Sequence, residues 1–259
     1  MFGAIRRWRT ERVLRTAALP DKLWHDAVSV LPFLAIYTAD ELSRLRDLVV
    51  LFLSAKSIVG AHGHDVTPLQ RTIIGVQACV LVLNLDLALY DDFENVMVFP
   101  GEFIPGRDWM DEAGVVHPHD PLAGEAMPGG PVLLSWPDVL ASADFETAGM
   151  NLVIHEFAHK IDMRDGDANG CPPLPPELPV REWQRTLGAA FADFTGHVDR
   201  GEDTAIDPYA GEDPGEFFAV LSEVFFADPW LLRDEYPAVY ELFERFYRQD
   251  PAGRVAPPA

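Results

Sequence analysis

Apolar positions recur at helical spacing through the first part of the chain. In residues 40–57 they follow Asp40, which we assign as the N-cap of a helix. In residues 67–85 a long apolar run follows Thr67, which occupies the cap position, and a proline at the first helical position. Residues 1–90 are therefore predicted to be mainly helical.

Short β-branched and aromatic runs replace this pattern after residue 90. Residues 94–104 and 130–136 are such runs, and prolines and glycines interrupt or bound them, which is typical of strands. Further helices are predicted at about 146–164, 182–195, 214–227 and 235–248. Because helices come first, then a few strands, then helices again, the fold class is predicted to be α+β.

The same pattern divides the chain into three parts. A mainly helical region, 1–90, precedes one compact unit over 91–250, and a tail over 251–259 is expected to be frayed. Within the second part, residues 165–181 are rich in proline and glycine and predict an irregular excursion. Residues 196–213 predict a polar loop.

Charge and hydropathy exclude two classes of partner. The 259-residue chain has a formal net charge of −21, and phosphate binding needs clustered lysine and arginine, so no direct nucleic-acid partner is expected. The most apolar stretch, residues 72–90, contains Gln77, Asn84 and Asp86. It therefore predicts a buried core helix rather than a membrane span.

The expected compartment is the cytoplasm. Asp21, Lys22 and Asp26 interrupt the segment after the basic start before an apolar core can form, so no secretion signal is predicted. The only two cysteines, Cys79 and Cys171, imply no disulfide framework.

One motif points to metal chemistry. His155-Glu156-Phe157-Ala158-His159 has the pattern H-E-x-x-H, and residues four apart lie on one face of a helix, so both imidazoles can reach one zinc ion. Glu156 is rotated by roughly 100° from His155, which suits a general base that borders the metal without binding it. The alternative is a pair of core histidines with ordinary hydrogen bonds, because buried polar groups need partners.

A catalytic zinc site usually has three protein ligands and one open position. A third histidine on the following turn is excluded, because positions 162 and 165 are aspartates. His197 lies in the predicted polar loop and is expected to be solvated. Two carboxylates of the later helix, Glu216 and Glu223, are seven residues apart and share one face among apolar residues.

Structural roles compete with metal binding at both positions. Asp213-Pro214-Gly215-Glu216 is typical of an N-cap followed by a capping-box glutamate, so Glu216 could close the helix end. Glu223 could pair with an arginine such as Arg245. Spacing alone does not choose between these alternatives.

Two segments together, "NLVIHEFAHKIDMRDGD" and "IDPYAGEDPGEFFAVLSEVFF", resemble the Mlc titration factor A family of zinc-dependent peptidases. Shorter matches at "TAALPDKLW", "VMVFPGEFI" and "GGPVLLSW" extend the similarity over nearly the whole chain. The resemblance implies that His155, His159 and Glu216 hold one zinc ion per chain. It also implies that Glu156 is the general base.

The resemblance suggests supporting roles for three further residues. Glu223 becomes a candidate for orienting a ligating imidazole. Tyr209 matches a tyrosine that could stabilise an oxyanion, with an ordinary surface tyrosine in a turn as the alternative. Asp162 is a weaker supporting candidate, and a salt bridge on the helix surface is favoured for it.

A zincin-like catalytic domain is the implied fold, with the active-site helix under a small mixed sheet. An edge strand of such a sheet can hold an extended peptide by backbone hydrogen bonds, and we expect residues 130–136 to supply that edge. The expected function is zinc-dependent hydrolysis of peptide bonds in a peptide or protein substrate, with aminopeptidase-like cleavage.

The alternative function belongs to another class. The resemblance implies that some family members bind a transcriptional repressor of the Mlc type and so relieve repression of sugar uptake. A purely structural zinc site is disfavoured, because such sites are closed by four ligands and are rich in cysteine, which the motif lacks.

Overall fold

The computed structural model describes residues 2–104, 109–110, 116–117, 121–143 and 149–256. Its strands are β1 (Ser57–Gly60), β2 (Asn95–Phe99), β3 (Trp109–Met110), β4 (Val116–His117), β5 (Gly124–Ala126) and β6 (Val132–Ser135). Its α-helices are α1 (Phe2–Thr16), α2 (Asp21–Ser29), α3 (Ala39–Ala55), α4 (Pro68–Leu81), α5 (Trp136–Ala141), α6 (Leu152–Asp162), α7 (Val180–Asp199), α8 (Pro214–Ala227), α9 (Pro229–Glu235) and α10 (Pro237–Tyr247).

The α+β prediction is confirmed. Four strands form a small mixed sheet in the order β1-β2-β6-β5, in which β1, β2 and β6 are parallel and β5 is antiparallel to β6. Helix α6, which carries the H-E-x-x-H motif, packs against β5 and β6. Among the described residues, no helix has both the length and the apolar character needed to cross a bilayer.

The edge strand was assigned wrongly from sequence. Residues 130–136 do contain a strand, β6, but it is paired on one side with β2 and on the other with β5. The edges are β1 and the three-residue β5, and β5 is the edge strand that packs against α6. Its residues are glycine, glutamate and alanine, which have low strand propensity, so it gives no strand signal in the sequence.

Helix starts follow their caps. Thr67 caps α4 in a capping box with Gln70, as its position predicts. The predicted cap of α3 is wrong: Thr38 accepts a hydrogen bond from the backbone N–H of Glu41, and Asp40 lies inside the first turn. Helix α4 ends before residue 85, because turns with i→i−3 hydrogen bonds replace the helix after Leu81.

The later helices differ mainly at their ends. Helix α8 covers the predicted 214–227. Helix α6 begins only after its cap Asn151, and residues 146–148 of the predicted helix lie outside the described residues. Helix α7 continues four residues beyond 195, and α9 was not predicted, because the last predicted helix, 235–248, corresponds to α10.

A single core joins the early and late helices. Phe157 of α6 makes edge-on ring contacts with Phe52 of α3, with Tyr90 and with Phe93. A division at residue 90 stays a prediction. The tail does not fray at residue 251, because Ala252 is buried and Arg254 forms an ion pair with Glu41.

Candidate metal centre

Helix α6 is buried over its whole length. All residues from Leu152 to Asp162 are buried, so the polar groups of the motif cannot be satisfied by bulk water. The helix start is fixed by Asn151, whose side-chain oxygen accepts from Ile154 N at 3.0 Å and whose amide donates to Gln77 of α4 at 2.9 Å. The motif therefore stands on a helix anchored directly to the core.

Three potential ligand atoms converge between α6 and α8. His155 Nε2 lies 3.0 Å from Glu216 Oε2 and 3.1 Å from His159 Nε2, and His159 Nε2 lies 3.2 Å from the same carboxylate oxygen. Ligands 2.0–2.1 Å from a tetrahedral ion are about 3.3 Å apart, so this triangle is close to the size that zinc requires. Two imidazoles and one carboxylate are also a ligand set that suits zinc, so the residues present fit a metal ion.

Glu223 fixes the orientation of the first imidazole. His155 Nδ1 lies 2.6 Å from Glu223 Oε1, and the other oxygen of Glu223 accepts from the backbone N–H of Asn151. Because an ionised carboxylate can only accept, Nδ1 carries a proton, and Nε2 is the ring nitrogen that faces the triangle. The alternative pairing of Glu223 with Arg245 is wrong, since Arg245 binds Glu182 at 2.5 Å.

Glu216 is free to face the histidines because another residue caps its helix. Asp213 accepts from Gly215 N at 2.7 Å and from Glu216 N at 3.0 Å. The carboxylate of Glu216 then lies beside the two imidazoles. Asp213 therefore caps the helix, and the Glu216 side chain does not form the capping box that the sequence allowed.

Glu156 faces a cavity beside the triangle. It is 4% exposed, and burial raises its pKa to about 7. The cavity has a volume of about 360 Å³, and its lining includes His155, Tyr209 and Gly124 of the edge strand. A cation held nearby would favour the ionised carboxylate and lower this pKa.

The charges of the triangle reinforce one another. Burial tends to raise the pKa of Glu216, but the hydrogen bonds of His155 and His159 outweigh it, so the pKa lies well below its usual range. Burial tends to lower the pKa of His155, and Glu216 and Glu223 reverse that effect. The metal-free site therefore pairs the Glu216 carboxylate with a protonated His155, and a metal ion that binds there replaces the proton on Nε2.

Three further residues considered in the sequence, Tyr209, Asp162 and His197, lie in different surroundings. Tyr209, in the 3₁₀ turn Pro208–Gly211, is 45% exposed, and its ring centroid lies 6.1 Å from that of His155. Asp162 is fully buried and accepts from Gly170 N at 2.7 Å, so the favoured surface salt bridge is wrong. His197 lies on the last turn of α7, where it pairs with Glu202, and not in a loop.

Two residues of the site were missed in the sequence. Asn151 precedes an apolar run, which is the usual signal of an N-cap, but the helix was predicted to start earlier. Gly124 lies against Glu156, and a Cβ at Gly124 would be 2.4 Å from Glu156 Oε1. Nothing local in the sequence indicates that contact, because it joins residues 32 positions apart.

Comparison with known proteins gives the family. The family described as "Glucose-regulated metallo-peptidase M90" matches residues 5–248. The chain is 38% identical over 251 residues to Mlc titration factor A of Salmonella arizonae, covering 96% of this chain and 98% of the relative. It is 39% identical over 251 residues to Mlc titration factor A of Escherichia fergusonii, covering 96% of this chain and 92% of that relative. The chain therefore belongs to the glucose-regulated metallo-peptidase M90 family.

Proposed function

We propose that this protein is a zinc-dependent peptidase. The observation that carries the proposal is the convergence of His155 Nε2, His159 Nε2 and Glu216 Oε2 beside the buried, cavity-facing Glu156. Family membership makes a metallopeptidase the expected class. The free thiols of Cys79 and Cys171 fit the cytoplasm as the compartment.

In this proposal His155, His159 and Glu216 hold the zinc ion. Zinc, when bound, supplies a Lewis acid that acidifies water and polarises a carbonyl group. The three side chains leave room for a reacting group on the side of the cavity, because no fourth histidine, cysteine or carboxylate among the described residues belongs to the cluster. Glu223 keeps the imidazole of His155 in the tautomer that exposes Nε2.

Glu156 moves the proton. Its carboxylate accepts a proton from the water that adds to the peptide carbonyl, and it then donates that proton to the leaving amine nitrogen as the C–N bond breaks. Its side chain neighbours the edge strand, so a carbonyl held on that strand lies within its reach. Tyr209 keeps its hydroxyl proton at neutral pH, because burial and the Glu216 carboxylate raise its pKa. It can therefore donate a hydrogen bond to the developing oxyanion.

The substrate backbone would pair with β5. Ala123 O accepts from Ser135 N, and Met127 N donates to Pro131 O, so residues 123 and 127 face β6. Bonded pairs alternate along an antiparallel ladder, and the N–H and C=O groups of Gly124 and Ala126 therefore face the outer edge. Phe103 already pairs with Leu122 on this side, so an extended peptide would pair beside Gly124 and Ala126, next to the Glu156 carboxylate.

The test uses zinc-loaded protein and a mixture of internally quenched peptides. Glu156→Gln should retain about one zinc per chain and lose cleavage by at least about 10²-fold, the size of a lost general base. Glu216→Ala should lose the zinc, as measured by metal mass spectrometry. Cleavage by Glu156→Gln at the wild-type rate would refute its role, and unchanged zinc in Glu216→Ala would refute the ligand set. Acetylating the peptide N-termini separates aminopeptidase action, which acetylation blocks, from internal cleavage.

The names of the relatives favour a second function, which is binding of a transcriptional repressor of the Mlc type. Glu156→Gln separates the two functions, because it should keep the fold and the metal. Capture of a purified Mlc-type repressor by this variant, without cleavage, would support regulation by binding. Capture by neither the variant nor the wild type would leave the peptidase as the only proposed function.

A further inference from the structure

Gly170, in the irregular excursion after α6, is held on both sides of its backbone. Its N–H donates to Asp162 Oδ2 at 2.7 Å, and its carbonyl accepts from Trp183 Nε1 at 2.7 Å. Its φ is +75°, in the left-handed region that favours glycine. Asp162, the last residue of α6, and Trp183 of α7 thus fix the two peptide units on either side of Gly170.

The same glycine touches the start of α8. A Cβ at Gly170 would lie 2.3 Å from the carbonyl oxygen of Pro214, which is backbone and cannot turn aside. A Cβ at Gly215 would lie 3.1 Å from the carbonyl oxygen of Ala168. Residues 168–170 therefore press against the first turn of α8, one or two residues before Glu216.

Asp162 and Pro214 each lie close in sequence to a ligand candidate. Asp162 follows His159 by three residues on α6, and Pro214 precedes Glu216 by two residues on α8. Gly170 lies between them, hydrogen-bonded to Asp162 and in contact with Pro214, so its backbone joins the end of one ligand-bearing helix to the start of the other.

We propose that Asp162 and Gly170 are positioning residues that hold the start of α8 at the distance from α6 at which Glu216 completes the metal site. This inference rests on the zinc site of the proposed function. It assigns Asp162 a role that differs from orienting an imidazole: the carboxylate acts through Gly170 and the first turn of α8. Burying the Asp162 carboxylate costs free energy unless it is hydrogen-bonded. Its hydrogen bond to Gly170, which contacts Pro214, links Asp162 to the helix turn that carries Glu216.

Four variants test the spacing. Asp162→Ala removes the acceptor for Gly170 N–H, whereas Asp162→Asn keeps a side-chain oxygen at that position. Gly170→Ala adds a Cβ that must push Pro214 away. Gly188→Ala on α7 is the control, because a Cβ there meets nothing within 4 Å.

The measurements are zinc affinity by chelator competition and the visible absorption spectrum of the Co²⁺-loaded protein. Asp162→Ala and Gly170→Ala should weaken zinc binding by about 10–100-fold, as expected when a group that orients a metal ligand is lost. Their Co²⁺ spectra should shift, because the position of the carboxylate changes. Asp162→Asn should recover most of the affinity, and Gly188→Ala should match the wild type.

Thermal unfolding of the metal-free proteins separates positioning from folding. If Asp162→Ala unfolds earlier but binds zinc with wild-type affinity and an unchanged Co²⁺ spectrum, the role is structural only and the proposal is wrong. If Asp162→Ala is too unstable to measure, Gly170→Ala and Asp162→Asn decide by the same two readouts. Failure of the wild type to bind zinc would instead refute the metal site itself, and zinc binding without peptide cleavage would refute only the peptidase.

Discussion

Gly124 of the edge strand lies directly on Glu156 of the motif helix. A Cβ at position 124 would be 2.4 Å from Glu156 Oε1 and 2.7 Å from Leu152 Cδ1, both closer than real contacts allow. The strand can therefore approach the proposed general base only because residue 124 has no side chain. The edge that would hold the substrate and the group that would move the proton are separated by a single glycine.

Gly124→Ala should therefore reduce peptide cleavage while sparing the metal site. The added methyl must displace the strand or the Glu156 carboxylate, and a shift near 1 Å in an active site costs on the order of 10²-fold in rate. Zinc content should stay at about one per chain, because the three ligand candidates do not touch residue 124. Gly188→Ala on α7 is the control, since a Cβ there also meets nothing within 4 Å and Gly188 lies away from the edge strand. Wild-type cleavage by Gly124→Ala would mean that β5 does not carry the substrate.

Glu223→Gln should weaken zinc binding. The carboxylate lies 2.6 Å from His155 Nδ1, and a neutral amide attracts that ring proton less, so Nε2 becomes a poorer donor to the metal. The expected loss of affinity is about 10–100-fold, measured by chelator competition. Glu182→Gln is a control that removes a surface partner of Arg245 instead. Equal zinc affinity in the two variants would show that Glu223 does not support His155.

Short-range chemistry in the sequence predicts much of the fold and part of the site. Helix α8 was predicted at its observed bounds, because a strong cap and a proline mark its start and an apolar run fills it. The proximity of His155 and His159 follows from helical geometry alone, since residues four apart share a face. Thr67 was identified as a cap for the same reason: the signal lies within one turn.

Contacts between distant segments could not be predicted in this way. Strand β5 has no strand-forming residues, and its place at the edge depends on pairing with β6. Asp162 was assigned to the surface because a charged residue at a helix end is usually solvated, yet the excursion folds back and buries it. The choice between Glu216 as ligand candidate and as capping residue also needed the structure, in which Asp213 alone caps α8.

The ion pair between Glu41 and Arg254 should make stability depend on pH in acid. The hydrogen bond from Arg254, with help from Thr38, outweighs burial and lowers the pKa of Glu41 from 4.5 to about 2. Because the folded-state pKa is the lower one, the stabilisation is present above about pH 4.5 and is lost as the pH falls toward 2. Glutamine at position 41 keeps the capping box and removes the charge. In urea, the free energy of unfolding of Glu41→Gln should therefore be lower than that of the wild type by about 1 kcal/mol at pH 6. Near pH 2 the two free energies should no longer differ. A difference that persists at pH 2 would exclude the ion pair as its cause.

Lys160 should be among the most sensitive positions of α6 to mutation. Its ammonium group is fully buried, donates to Met127 O at 2.9 Å and to Gly130 O at 3.3 Å, and lies 3.3 Å from Asp92 Oδ2. Lys160→Met fills the same space but leaves the largely buried Asp92 carboxylate and the Gly130 carbonyl without their ammonium partner, so the free energy of unfolding should fall by about 3 kcal/mol.

Lys22→Met provides the matched control, because Lys22 forms an exposed pair with Asp26 and its loss should cost about 0.5 kcal/mol. Met127 and Gly130 form the turn between β5 and β6, so Lys160→Met should also speed amide hydrogen exchange in that turn under native conditions. Lys22→Met should leave that exchange unchanged. Equal unfolding free energies for the two variants would mean that the buried lysine contributes no more than a surface pair and does not hold the edge hairpin over the motif helix.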